Sequence, residues 1–387
     1  MAKSGGAATA RKAVPESDSR SGHKIAAVET YRLKLPYKNA IAFKSVKESV
    51  GQYVILRLVL DDGTEGIAES VCRAEQSGED ATALAYDIET FFKPMLVGAD
   101  PMSHLAILEK LSRVKYCRSA KGMIDIALWD LRGKMLGQPV WRLLGGADPE
   151  PVPLTWIAHG NTREAQVDEA RRKVEERGFK GMKLKTWRRS LEDVRMVGEV
   201  RKAIGDKITI YIDGNGSYTE SEARNILAKA QDFNLAFIEE PCHFADPVRQ
   251  AAMCQFLTVS LLGDQCAQSL AEVQILLRLQ AVGAVSVKLR RTGFTESLKI
   301  ITLCEAAGVP VVIGTDSESR IGSMARMHLR SAIPSLAPWP TETHFFEKLA
   351  DDAFAGDFRF ADGQITIDDK PGFGAAIDRK KLEKFAF

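Results

Sequence analysis

Charged residues recur at nearly one interval through the middle of this chain: Lys183 and Lys185, then Asp213, Glu239, Asp264, Lys288 and Glu318. Counted from Lys185, the gaps are 28, 26, 25, 24 and 30 residues. One strand, one helix and their two loops need about that length, because a crossover with its helix takes roughly 10–12 residues or more. Several of these charges close a short apolar run: Asp213 ends KITIYID, Glu239 ends LAFIE, Asp264 follows VSLLG and Lys288 ends VSVK. A unit that repeats with a charge at each strand end predicts a β/α fold that gathers those charges at one mouth.

The surrounding sequence supports that reading. After Pro153, short apolar runs alternate with amphipathic stretches such as LEDVRMVGEVRKAIG. Strands are expected over 155–158, 181–185, 208–213, 236–239, 259–263, 284–288, 311–314 and 335–337, which is enough for a (β/α) barrel over 151–345. An open doubly wound sheet is the alternative, weakened because no GxGxxG follows the first strand. Residues 25–150 read as an α+β domain, with β texture from Ile25, a turn at Asp61-Asp62-Gly63 and helical periodicity afterwards. Residues 346–387 return to strand-and-turn chemistry and are expected to pack on that first domain. Residues 1–24, rich in small and basic residues, lack the apolar core of a secretory signal and read as a flexible extension. Glu16 and Asp18 argue against a transit peptide.

Bulk properties exclude several classes. A net charge of +2 implies neither nucleic acid nor a membrane surface as partner. No apolar stretch approaches the ~20 residues of a membrane-spanning helix. The six cysteines form no CxxC pair and read as reduced thiols of a cytoplasmic protein.

Three acids at consecutive strand ends form an oxygen-only donor set suited to a hard divalent cation. A single such acid is more often a helix N-cap; three in three successive units are not explained that way. Lys183 and Lys185 stand two apart on a strand and face the same side, so each raises the cost of protonating the other. At least one of their pKa values is therefore expected to fall. Lys288 should face the mouth from the opposite side.

The motifs then resemble the enolase superfamily, in particular the muconate-lactonizing subgroup of the mandelate racemase/muconate-lactonizing enzyme family. They are GMKLK, YIDGN, FIEEP, GDQ, VKLRRTG and SESRIG, with IDIALWDLRGKMLGQPVWRLLGG ahead of the barrel and DGQITIDDKPGFG after it. The resemblance implies a modified (β/α)7β TIM-like barrel with an α+β capping domain made from the N-terminal region and the C-terminal segment. It implies Mg²⁺, with Mn²⁺ as substitute, on Asp213, Glu239 and Asp264. Lys185 and Lys288 would be acid/base groups on opposite faces of the substrate and Lys183 would tune Lys185. The resemblance would also have Asn215 and Glu318 line the substrate site. Read from the residues themselves, Asp316 and Gln265 join them as candidate contacts, with Phe43 and Arg73 on the loops of the first domain. His159 after the first strand has two readings, a substrate contact or, more commonly, a satisfied or solvated loop histidine. No histidine lies in VVIGTDSES, so a mandelate-racemase-type His/Asp base is not expected.

Three residues depart from the pattern. Gln265 stands where a Glu is common, Phe294 where a second Gly is usual, and Asp316 where an apolar residue is usual. The expected chemistry is formation or discharge of an enolate α to the carboxylate of a small-molecule substrate, in a homo-oligomer. Muconate-like cycloisomerisation is the first named reaction. Racemisation, epimerisation or dehydration of an N-acyl amino acid, dipeptide, hydroxyproline or betaine is the second. A non-catalytic scaffold would have lost ligands or lysines, and none is lost.

Overall fold

The computed structural model describes residues 22–43, 46–74, 78–147, 149–160, 162–186, 188–243 and 246–387, with the side chains of 42, 43 and 46 outside the description. Phe43 therefore ends a strand whose geometry is known, while its proposed substrate contact lies outside the described residues.

The first three strands, β1 (Ile25–Phe43), β2 (Val46–Leu60) and β3 (Glu65–Cys72), form an antiparallel sheet in the order β1-β2-β3. The β2–β3 turn is the expected one. Gly63 takes φ 86°, open to glycine at no steric cost, and Asp62 Oδ1 accepts from the Thr64 amide at 2.8 Å. The long helix Arg118–Met135 lies against β3, burying Ile124, Ala127, Leu128 and Leu131 completely. Its Asp130 accepts from the Ile67 amide at 3.0 Å, the Phe373 amide at 2.8 Å and Lys134 Nζ at 2.7 Å. One buried carboxylate thus ties the helix to β3 and to the C-terminal segment.

After the short β4 (Val152–Pro153) come seven parallel strands: β5 (Thr155–Ala158), β6 (Gly181–Lys185), β7 (Thr209–Asp213), β8 (Leu235–Glu239), β9 (Leu261–Gly263), β10 (Ala284–Val287) and β11 (Val311–Ile313). They neighbour each other in sequence order, with helices between them. The eighth strand expected at 335–337 is a correction. Pro334–Leu336 is a 3-10 turn, as Pro334 and Pro338 flanking so short a run would favour. The gap between β11 and β5 is closed by Thr341 and Glu342 instead. Thr341 bonds β4 and β5 through Thr341 N to Pro153 O and Thr155 N to Thr341 O, both 2.8 Å; Glu342 N bonds Ile313 O of β11 at 3.1 Å.

The C-terminal segment returns as expected. Strands β12 (Phe354–Gly356) and β15 (Ala375–Ile377) pair with each other, while β13 (Arg359–Ala361) and β14 (Gln364–Thr366) extend a small sheet onto β4. The last helix, Arg379–Phe385, packs on β1, and Phe387 N reaches Arg32 O at 3.2 Å.

Candidate active site

Strand register sets the heights of the functional groups. Lys185, Asp213 and Glu239 are successive Cα partners across β6, β7 and β8, so they form one row at the C-terminal rim. Lys183 pairs with Tyr211 and Tyr211 with Phe237, one layer below. Asp264 and Lys288 follow β9 and β10 directly. Lys183, Lys185, Asp213 and Asn215 line one side of a cleft of about 400 Å³, and Asp264, Gln265, Lys288 and Asp316 line the other. That volume suits a small-molecule ligand.

The lysines and acids interlock. Lys183 Nζ rises from its lower layer to Glu239 Oε1 at 2.8 Å, Glu342 Oε1 at 3.1 Å and Asp213 Oδ2 at 3.3 Å. Lys185 Nζ donates to Asp213 Oδ2 at 2.6 Å and Asn215 Oδ1 at 2.7 Å. Lys288 Nζ donates to Asp264 Oδ2 at 2.8 Å and stands 3.5 Å from Asp316. Room for the Lys288 stem comes from Gly314, where a Cβ would fall 2.9 Å from Lys288 Cε and 2.3 Å from Ser286 Oγ.

Charge at the floor is unevenly balanced. Burial pushes Lys183 down, but Glu239, Glu342 and Asp213 outweigh it and hold the ammonium well above its ordinary pKa. The depression expected from the lysine pair is therefore absent at Lys183, because carboxylates rather than Lys185 surround it. Burial also raises Glu239, and the charge of Asp213 adds to the effect. Glu239 Oε2 is buried and accepts no well-aligned hydrogen bond, although Lys183 Nζ lies 2.7 Å away. A buried carboxylate trio that offers only oxygen donors fits a hard divalent cation.

One expected lining residue, Glu318, lies outside the cleft, and another, Asp316, lines it already paired with cations. Glu318 is 3% exposed and faces away from the cleft, accepting from Thr315 Oγ1 at 2.7 Å, Asp316 N at 3.0 Å and Arg326 Nη1 at 2.5 Å. Ser317, at φ 82°, turns the chain between Asp316 and Glu318, so strand alternation does not carry through. Asp316 does reach the cleft, but its carboxylate bonds Arg290 Nε at 2.9 Å and lies 3.5 Å from Lys288 and 3.9 Å from Arg291. An acid with three cationic neighbours is poorly placed to receive a substrate ammonium.

Sequence reasoning missed Glu342, Arg291 and His344. Glu342 accepts from Lys183 and from Tyr211 Oη, and it lies twenty-four residues after Glu318, so the charge interval itself carried the signal. Arg291 Nη1 holds Asp264 Oδ1 at 3.0 Å from within VKLRRTG. His344 gave no signal beyond its identity.

Comparison with known proteins agrees with this architecture. Residues 24–145 match the family described as Mandelate racemase / muconate lactonizing enzyme, N-terminal domain, and residues 165–381 match Enolase C-terminal domain-like. The chain is 27% identical to the N-succinyl-L-Arg/Lys racemase of Bacillus cereus, over 93% of this chain and 97% of that protein. It is 28% identical to the chloromuconate cycloisomerase of Pseudomonas putida, over 94% and 99%. The solved muconate lactonizing enzyme from Pseudomonas putida superposes with a TM-score of 0.87 at 25% identity, covering 94% of this chain and all of that one. A cleft built from a parallel barrel and an N-terminal cap, with both parts matched, identifies this chain as an enzyme of the mandelate racemase/muconate lactonizing enzyme family within the enolase superfamily.

Proposed function

We propose that the enzyme uses Mg²⁺, held by Asp213, Glu239 and Asp264, to form or discharge an enolate α to a substrate carboxylate, most concretely in a muconate-type lactonization. The observation that carries this is the placement of Lys185 and Lys288 on the two sides of the carboxylate trio, 2.6 Å from Asp213 and 2.8 Å from Asp264. A divalent cation there would stabilise negative charge on the substrate carboxylate as the α-carbon gains or loses its proton.

The protein groups supply the remaining steps. Lys183, locked among three carboxylates, stays charged and stiffens the floor. In lactonization a carboxylate oxygen of the substrate adds to its own double bond. The electron pair moves to the carbon α to the other carboxylate, and the ammonium of Lys185 or Lys288 delivers a proton there. Arg291 and Asn215 hold the neighbouring groups in place, on Asp264 and Lys185.

Racemisation of an N-acyl amino acid is the second reading. It is favoured by the same two lysines, because removal from one face and return to the other needs a base and an acid on opposite sides. The likeness to an N-succinyl-L-Arg/Lys racemase supports it to a similar degree as the cycloisomerases support the first. Incubation with Mg²⁺ in D₂O separates the two: lactone formation from cis,cis-muconate supports the first, and α-deuterium in recovered N-succinyl amino acids supports the second. Turnover that survives replacement of both lysines would refute the assignment of the bases. The enzyme is further proposed to be a cytoplasmic homo-oligomer.

A further inference from the structure

A second, open groove of about 540 Å³ lies where three helices meet: His104–Leu111, Arg118–Met135 and Leu289–Ala306. It shares no residue with the catalytic cleft, whose cap side is lined by Arg73, His159, His344 and Phe345. Its local structure starts at Gly293, which takes φ 57° and interrupts the third helix. The interruption frees the Thr295 amide, and Asp125 Oδ2 accepts from it at 2.9 Å. Asp125 packs so closely there that a Cβ at Gly293 would fall 2.3 Å from its Oδ2. Glycine is thus required both by φ and by space.

The other oxygen of Asp125 is engaged as well. His104 Nε2 stands 2.6 Å from Oδ1, and Thr295 Oγ1 donates to the same atom at 2.7 Å. Arg132 Nη1 lies 3.2 Å from His104 Nδ1. A guanidinium only donates, so Nδ1 is the acceptor and Nε2 carries its proton toward Asp125. This arrangement uses both oxygens of Asp125 without Arg132. Among the described residues no carboxylate forms an ion pair with Arg132, and its buried Nε has no hydrogen-bond partner. The guanidinium rests on the Trp129 ring at 4.5 Å, and burial lowers its pKa by more than the charge of Asp125 raises it. A half-buried cation without a counter-ion carries a desolvation cost that an anion would offset.

Most of the remaining lining is apolar. Met102, Leu105, Ala106, Trp129 and Leu298 form it, and Met102 and Leu105 stay 42% and 69% exposed. Single exposed apolar side chains are ordinary, but two at the mouth of a groove that ends on an unpaired guanidinium make an amphipathic surface. Asp125 is buried behind the His104 ring and does not line the groove, so Arg132 is the charge presented there. One cation matches a monoanion. An inorganic anion would leave the apolar walls wet, and the volume is that of a small-molecule site.

We propose that this groove is a second ligand site, separate from the catalytic cleft, for a monocarboxylate with an apolar body of about six to eight carbons. Its carboxylate sits on Arg132 and its body lies against Met102, Leu105 and Leu298. The guanidinium fork offers parallel donors to one planar carboxylate, which favours that head group over an alcohol or an amine. The site goes beyond the proposed catalysis and needs no metal.

Fluorine NMR on the full chain in EDTA tests this, with 4-fluorophenylacetate as the probe and the matching fluorophenyl alcohol and amine beside it. The acid is expected to bind at least about tenfold more tightly than either, the scale of charge-assisted hydrogen bonds. Arg132→Met should bring the acid down to the level of the alcohol. Leu105→Asp, at an exposed position, should weaken the acid at least about fivefold by removing apolar contact and adding a like charge. Lys185→Met, in the cleft, should leave the affinity unchanged. Equal binding of acid and alcohol, binding of no probe, or an acid affinity that Leu105→Asp leaves intact would overturn the site. So would a wild-type oligomer that Leu105→Asp dissociates, which would assign the groove to a second copy of the chain. The wild-type comparison and Leu105→Asp decide even if Arg132→Met does not fold.

Discussion

Glu69 should make the junction between cap and barrel weaken as pH rises. It lies on β3, is 4% exposed, and accepts from the Ser319 amide at 2.7 Å and from the Ser319 hydroxyl, at the N-cap of the helix Arg320–Ala332. Burial raises its pKa to about 8, against the opposing pull of those two hydrogen bonds. An acid raised in the folded state binds its proton more tightly there than in the unfolded chain. Its contribution is therefore complete below the unfolded value of about 4.5 and declines as pH climbs to about 8. At about 1.4 kcal/mol per unit, the whole span amounts to roughly 3–5 kcal/mol. Glu69→Gln copies the protonated form, with an oxygen for the Ser319 amide and an NH₂ for its hydroxyl. Urea denaturation of both proteins from pH 5 to pH 9 should show the wild type losing stability relative to the variant through the window, with the variant the more stable above pH 8. Parallel pH profiles would refute the account, because every other titrating group is common to both.

Further effects follow from other buried acids. Asp130→Ala strands the Ile67 and Phe373 amides and Lys134, and should lower stability by about 3–5 kcal/mol in chemical denaturation, while Asp130→Asn retains part of the loss. Glu342→Gln removes one of three carboxylates around Lys183 but keeps an oxygen for Tyr211; since Glu239 and Asp213 remain, a smaller cost of about 1–3 kcal/mol is expected. Gly314→Ala places a methyl against Lys288 Cε and Ser286 Oγ, and should cut turnover by about tenfold or more while lowering stability by about 1–3 kcal/mol. Addition of Mg²⁺ at about a hundred times its dissociation constant should stabilise the protein by about 2.7 kcal/mol, and a chelator should reverse this.

The features legible in the sequence are those that strand geometry transmits without loss. Lys185, Asp213 and Glu239 lie on three strands in unbroken register, so an interval along the chain becomes adjacency across a sheet. Legibility ends where the strand ends. Asp316 and Glu318 stand two apart like Lys183 and Lys185, but Ser317 turns between them, and one acid faces the cleft while the other holds Arg326. The eighth stave was misplaced for a related reason: Ser335–Ala337 offered apolar residues, but barrel closure needs backbone groups free to pair, and Thr341–Glu342 supply them after the last proline. The lysine pair shows a third limit. Two like charges on one strand face predict a depressed pKa only when nothing else is near, and the acids that reverse it at Lys183 come from strands tens of residues away and from Glu342. The contacts of His344 and Lys348 have still less local signature, since both meet His159 only after the chain has closed the barrel and paired with β1. Strand periodicity therefore exposes the groups proposed for the shared chemical step, while Glu342, His344 and Asp316 sit on irregular segments that packing alone brings into place.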